Sequence, residues 1–128
     1  MRTAEREEMD AKDELFVRLS DVFGHSGFDR DVKLFGASNH RWRIDAAIIR
    51  SGTPAVLFNS VTPSYISAVG TAAKFNDLSR LEISPRRIAV ATSFLSLKDW
   101  IGVVSSASDA VIEMKAANDQ FSRLAAAA

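Results

Sequence analysis

At 128 residues, 47% of them hydrophobic and 25% charged, with six glycines and three prolines, the chain suits one compact domain and excludes a disordered or fibrous polymer. Sixteen basic residues balance sixteen acidic ones, so no global field draws it to nucleic acid or to an anionic membrane, and any such binding needs a local patch. There are no cysteines, which removes disulfides, thiolate metal sites and cysteine nucleophiles.

The opening MRTAEREEMDAKDE is too charged for a secretory signal, and no apolar run approaches the roughly 20 residues that span a bilayer, so the sequence reads as cytoplasmic. Met9, Leu15, Phe16, Leu19, Val22 and Phe23 recur at the helical period from 4 to 23, with Glu5, Glu7 and Glu8 at the positive end of the helix dipole and Gly24 as a stop. Glu7, Asp10, Glu14, Arg18 and Asp21 form the opposite, solvated face, where the four-residue spacing of Glu14 and Arg18 predicts an ion pair.

Residues 31–35 (DVKLF) and 40–50 (HRWRIDAAIIR) read as strands divided by a Gly-Ala-Ser-Asn turn. Strict alternation puts Trp42, Ile44, Ala46 and Ile48 on one face of the second strand and Arg43, Asp45, Ala47 and Ile49 on the other. A third strand, 54–61 (PAVLFNSV), follows an SGTP turn, and an antiparallel meander is the simplest assembly of the three.

Thr62 or Ser64, flanking Pro63, opens a helix to about Leu81 with Tyr65, Ala68, Val69, Ala72, Phe75 and Leu78 as its apolar stripe. Ser67, Gly70, Lys74 and Asp77 lie on another face, where Lys74 and Asp77 read as a surface ion pair. RRIAVATS, 86–93, has the nearly continuous apolar character of a strand covered on both faces of a mixed sheet, joined by a right-handed crossover. Ser96 and Asp99 resemble a capping box for a helix carrying Leu97, Trp100, Ile101 and Val104. Residues 110–114 fit either an edge strand or, with Ala117, Phe121 and Leu124, a helical period; a short strand followed by a helix is the order taken here. Residues 1–3 and 125–128 are expected to fray. The expected fold is thus a single α/β domain: an N-terminal helix, a three-stranded antiparallel meander, a crossover helix, further strand in a mixed sheet, and C-terminal helices.

This order, together with RIDAAII at 43–49 and FNSVTP at 58–63, resembles the restriction-endonuclease-like, or PD-(D/E)XK, superfamily over residues 4–93. The resemblance implies an acid on the second strand, where Asp45 stands, and an Asp/Glu-x-Lys on the third, where Asn59 replaces the acid and Val61 the lysine. In that family the two acids hold a divalent cation that withdraws charge from the phosphate and activates water, and the lysine stabilises developing charge. A single carboxylate binds Mg²⁺ weakly, so the resemblance implies a site without a metal cofactor. If the site is active, relocated residues complete it: Asp45 as metal ligand, Asn59 as auxiliary ligand, and Lys74 and Glu14 as migrated partners.

A structural account of these residues pairs Asp45 with Arg43 or another base and satisfies Asn59 by local hydrogen bonds. His25 and His40 lack zinc-ligand spacing, and there is neither a Gly-rich phosphate loop nor a G-x-S-x-G elbow. His40, Arg41, Trp42 and Arg43, joined by Arg30, Lys33, Arg50, Arg86 and Arg87, offer candidate phosphate and base contacts, although alternation assigns Trp42 to the core. The leading expectation is a catalytically inactive nuclease-like module that binds a protein or nucleic-acid partner, of the kind that suits a phage or mobile-element regulator or inhibitor of host defence. The alternative is a metal-dependent DNA endonuclease with a rearranged site. A homo-oligomer, or a subunit whose partner completes the site, is a third reading.

Overall fold

The computed structural model describes residues 3–126; of the ends expected to fray, 1–3 and 125–128, residues 1–2 and 127–128 lie outside the described residues, while residues 125 and 126 belong to the last helix. Thr3 already caps the first helix, α1 (Ala4–Phe23), by accepting a hydrogen bond from the Arg6 amide at 3.2 Å. Gly24 ends that helix at φ +85°, its N–H returning to the Ser20 carbonyl at 2.9 Å. The meander follows as β1 (Asp29–Phe35), β2 (Arg41–Arg50) and β3 (Thr53–Val61), antiparallel throughout. Ser51 and Gly52, at φ +54° and +77°, form the two-residue turn whose twist matches the strands it joins.

Ser64 caps α2 (Tyr65–Ser79) by accepting from the Ser67 amide at 3.1 Å. β4 (Arg86–Ala91) then pairs parallel to β3. Two short helices, α3 (Phe94–Leu97) and α4 (Ile101–Ala107), lead to β5 (Ala110–Glu113), parallel to β4, and α5 (Asn118–Ala126) closes the chain. The sheet runs β1-β2-β3-β4-β5, so the expected α/β class, the meander and the strand-then-helix ending are all present.

Two cores sandwich the sheet. One packs Leu15 and Leu19 of α1 and Phe121 of α5 against Ala46, Val56, Phe58, Ile88 and Val90. The other packs Ala68, Ala72, Phe75 and Leu78 of α2 and Val104 of α4 against Ile44, Ala47, Leu57, Val61 and Ala89. Among the described residues no helix is long and apolar enough to cross a membrane.

Four local expectations are corrected. Ile44 and Trp42 pack on the α2 side while Ala46 and Ile48 pack on the α1 side, so β2 changes face at Asp45 instead of alternating through it. The cap of the helix after β4 is Ser93, which accepts from the Ser96 amide at 3.4 Å; Lys98 breaks the turn, and α4 starts afresh after Trp100. Arg18 does not pair with Glu14: its guanidinium donates to the Met114 carbonyl, to the Ala116 carbonyl at 2.5 Å and to Asn118 Oδ1 at 2.8 Å, and lies over the Phe121 ring. These acceptors are carbonyls and an amide that a half-buried chain end must satisfy, and they outcompete a solvated carboxylate. Lys74 and Asp77 also part company, because one faces β2 and the other the β1–β2 turn: Asp77 accepts from the Ser38 amide at 2.9 Å, the Ser38 hydroxyl at 2.6 Å and the Trp42 indole at 2.8 Å.

Candidate functional site

The ladder between β2 and β3 ends at Ala46 and Phe58, although β2 continues to pair with β1 and β3 with β4. Beyond that point side chains replace backbone pairing. The Asp45 amide donates to Asn59 Oδ1 at 3.1 Å, and in return Asp45 Oδ2 accepts from the Ser60 amide at 2.8 Å and the Ser60 hydroxyl at 2.6 Å. Two backbone donors that the parting strands would leave unmet are therefore satisfied reciprocally. Asn59 is buried, and its amide nitrogen donates to Thr71 Oγ1 of α2 at 3.1 Å.

The irregularity reaches the next strand. β1 and β2 pair at Arg30 with Ala46 and at Val32 with Ile44, skipping Asp31 and Asp45, and Asp31 sits at φ +50°. The Asp31 carboxylate takes the Lys12 amine at 3.0 Å and lies 3.9 Å from Arg43 Nε. Arg43 is thus the neighbour of Asp31, and Asp45 finds its partners in Ser60; the expected Asp45–Arg43 pairing is replaced because Ser60 offers two donors at the strand itself.

A groove of about 350 Å³ opens over this seam. The strands contribute Arg43, Asp45, Asn59 and Ser60, α2 contributes Ser67, Gly70, Thr71 and Lys74, and the N-terminal half of α1 contributes Glu5, Glu8 and Lys12. Met9 and Ile66, both largely exposed, flank it. The Lys74 amine donates to the Arg43 carbonyl at 2.7 Å. Burial holds this amine below its ordinary value of 10.5, with Asp45 opposing that shift, Arg43 reinforcing it and Glu8 opposing it.

Asp45, Asn59 and Lys74 are therefore brought together, as their positions in the sequence suggested. Val61 is fully buried in the α2-side core and is not among the groove-lining residues. Glu14 is exposed and is not among the groove-lining residues; Glu5, Glu8 and Lys12, nearer the N-terminus of the same helix, are. Sequence reading missed these three, although the 5, 8, 9, 12 spacing is itself one helical face.

The five candidate arginines are split. Arg41 and Arg43 stand at the start of β2, whereas Arg50 ends it and Arg86 and Arg87 open β4 beside the start of β3. Arg87 is engaged: its Nε donates to the Ala107 carbonyl at 3.3 Å, and its Nη2 lies 3.5 Å from Asp109. His40 meets Trp42 edge to face at 4.2 Å between ring centres, and His25 Nδ1 lies 3.5 Å from Arg30.

Mg²⁺ requires a near-octahedral set of oxygen ligands, commonly including carboxylates. Among the described residues no three His, Cys, Asp or Glu side chains gather closely enough to hold a metal ion, and Asp45 is the one carboxylate that the paired strands place in the groove. The residues present do not fit the two-carboxylate centre of the nuclease pattern. What the arrangement offers is a polar groove with mixed charge, a half-buried amine, and two flanking apolar side chains. Searches of family models, of curated proteins and of solved structures each found no match to this chain.

Proposed function

We propose that the chain is a catalytically inactive, nuclease-like interaction module whose groove over the β2–β3 seam binds a macromolecular partner, protein or nucleic acid. One observation carries this reading: Asp45 Oδ2 and the Asn59 side chain bridge two parted strands. A divalent cation needs several oxygen ligands, whereas here one Asp45 oxygen already accepts two short hydrogen bonds and the paired strands bring no second carboxylate to the groove. Binding needs no such freedom, and a module of this size suits a regulator or inhibitor of a larger complex.

The test is a plasmid and oligonucleotide cleavage assay with Mg²⁺ and Mn²⁺, run beside affinity capture analysed for both protein and nucleic acid. No cleavage together with a specific partner lost on substitution of groove residues is the expected outcome. Metal-dependent cleavage that disappears in Asp45→Ala would overturn it.

One observation favours the second reading, a metal-dependent DNA endonuclease with a rearranged site. Lys74 reaches the groove from α2 and shares it with Asp45. In that reading cleavage requires both Asp45 and Lys74, so the same assay with Lys74→Met separates the two.

A further inference from the structure

A second pocket, of about 470 Å³, lies at the opposite end of the meander, lined among others by Arg50, Thr53, Ser84, Arg86 and Asp109. Five residues of strand separate Arg50 from Asp45, about 17 Å at the usual rise, so this pocket is distinct from the groove and independent of the function proposed for it.

The Asp109 carboxylate and the Ser84 hydroxyl oxygen already have partners within the chain. Asp109 Oδ2 accepts from the Arg87 amide at 2.8 Å and its Oδ1 lies 3.5 Å from Arg87 Nη2, while Ser84 Oγ accepts from Arg87 Nη1 at 2.9 Å. Arg87 thereby neutralises Asp109. Arg50 makes one hydrogen bond, to the Ala125 carbonyl at 3.1 Å, and has no carboxylate partner among the described residues. Arg86 is half-buried, and its Nε is buried with no acceptor among the described residues. Buried donors are almost always satisfied in folded proteins, so Arg86 is a guanidinium whose hydrogen-bonding capacity the described residues do not fill.

We propose that this pocket is a binding site for a phosphate-type oxyanion held by Arg86 and Arg50. Two guanidinium groups without a carboxylate partner among the described residues match the near-dianionic state of a phosphomonoester at neutral pH, and the guanidinium fork matches its oxygens. Thr53 and Ser84 border the same space. The phosphate belongs either to a small molecule or to the end of a nucleic-acid strand.

Isothermal titration of the full chain with inorganic phosphate at constant ionic strength, and separately with a 5′-phosphorylated dinucleotide and its unphosphorylated counterpart, tests the assignment. One saturable site is expected, weakened about tenfold or more in Arg50→Gln and in Arg86→Gln, with folding verified by circular dichroism. Arg50→Gln carries the test alone if Arg86→Gln does not fold. The tighter of the two phosphorylated probes identifies the source of the phosphate. Absence of saturable binding by both, equal affinity in Arg50→Gln, or equal binding of the unphosphorylated dinucleotide overturns the proposal.

Discussion

Asp45, Asn59 and Lys74 are held in place by chemistry that a substitution can read out. Asn59→Asp would set a second carboxylate beside Asp45 in a buried position and replace the amide that donates to Thr71. The expected loss is about 1–3 kcal/mol in urea unfolding at pH 7, shrinking near pH 4 as one carboxylate takes up a proton. Lys74 gives the opposite pH signature. Its amine is lowered from 10.5 by burial, so between the lowered value and 10.5 the unfolded chain binds the proton and the folded chain does not. Stability contributed through this group therefore rises as pH increases through that window, and the cost of the buried charge is fully present below it. Urea midpoints from pH 7 to 10 should climb in the native sequence and flatten in Lys74→Met.

At the scale of elements, the β1–β2 turn is fastened to α2 through Asp77. The Ser38 hydroxyl, then the Trp42 indole, hold the Asp77 carboxyl below its ordinary value against the opposing effect of burial, with the Ser38 amide and Arg80 adding to the shift. A lowered acid contributes stability above the unfolded value of 3.8 and loses it as pH falls through the lower folded value. Asp77→Asn should accordingly make the acid limb of a stability profile shallower. Gly36 lets the turn approach that carboxylate: a Cβ there would lie 2.0 Å from Asp77 Oδ2, inside any permitted contact. Gly36→Ala should cost about 1–3 kcal/mol in thermal or urea unfolding. Much at this scale was legible in the sequence, because the helical period of α1, the Ser-Gly turn and the apolar run of β4 are local signals. The face change at Asp45 was not, since alternation assumes an unbroken pleat and the break arises where two neighbouring strands stop pairing. Ser96 resembles a cap in the sequence, but β4 ends at Ala91, two residues short of the expected strand, and this frees Ser93 for that role.

In the whole molecule, α1 joins distant parts of the chain. Its N-terminal half borders the groove, and Arg18 in its C-terminal half holds the β5–α5 connection nearly 100 residues away. Arg18→Ala should raise amide exchange in β5 and α5 about tenfold while leaving α2 unchanged, as read by hydrogen-exchange mass spectrometry. Partners so far apart leave no trace in local spacing, which is why Arg18 resembled a solvated residue. The same reason hid the α1 side of the groove: Glu5, Glu8 and Lys12 lie on a polar stripe whose meaning depends on the strands beneath it. The strand side was visible because Asp45 and Asn59 sit in otherwise apolar runs. The reciprocal bridge between these strands also constrains how the chain can drift. Changing Asp45 strands the Ser60 amide and changing Asn59 strands the Asp45 amide, so each step is penalised and the two penalties add. Drift at positions 45 and 59 is therefore opposed from both strands at once, because each position keeps an acceptor that the other strand's backbone needs.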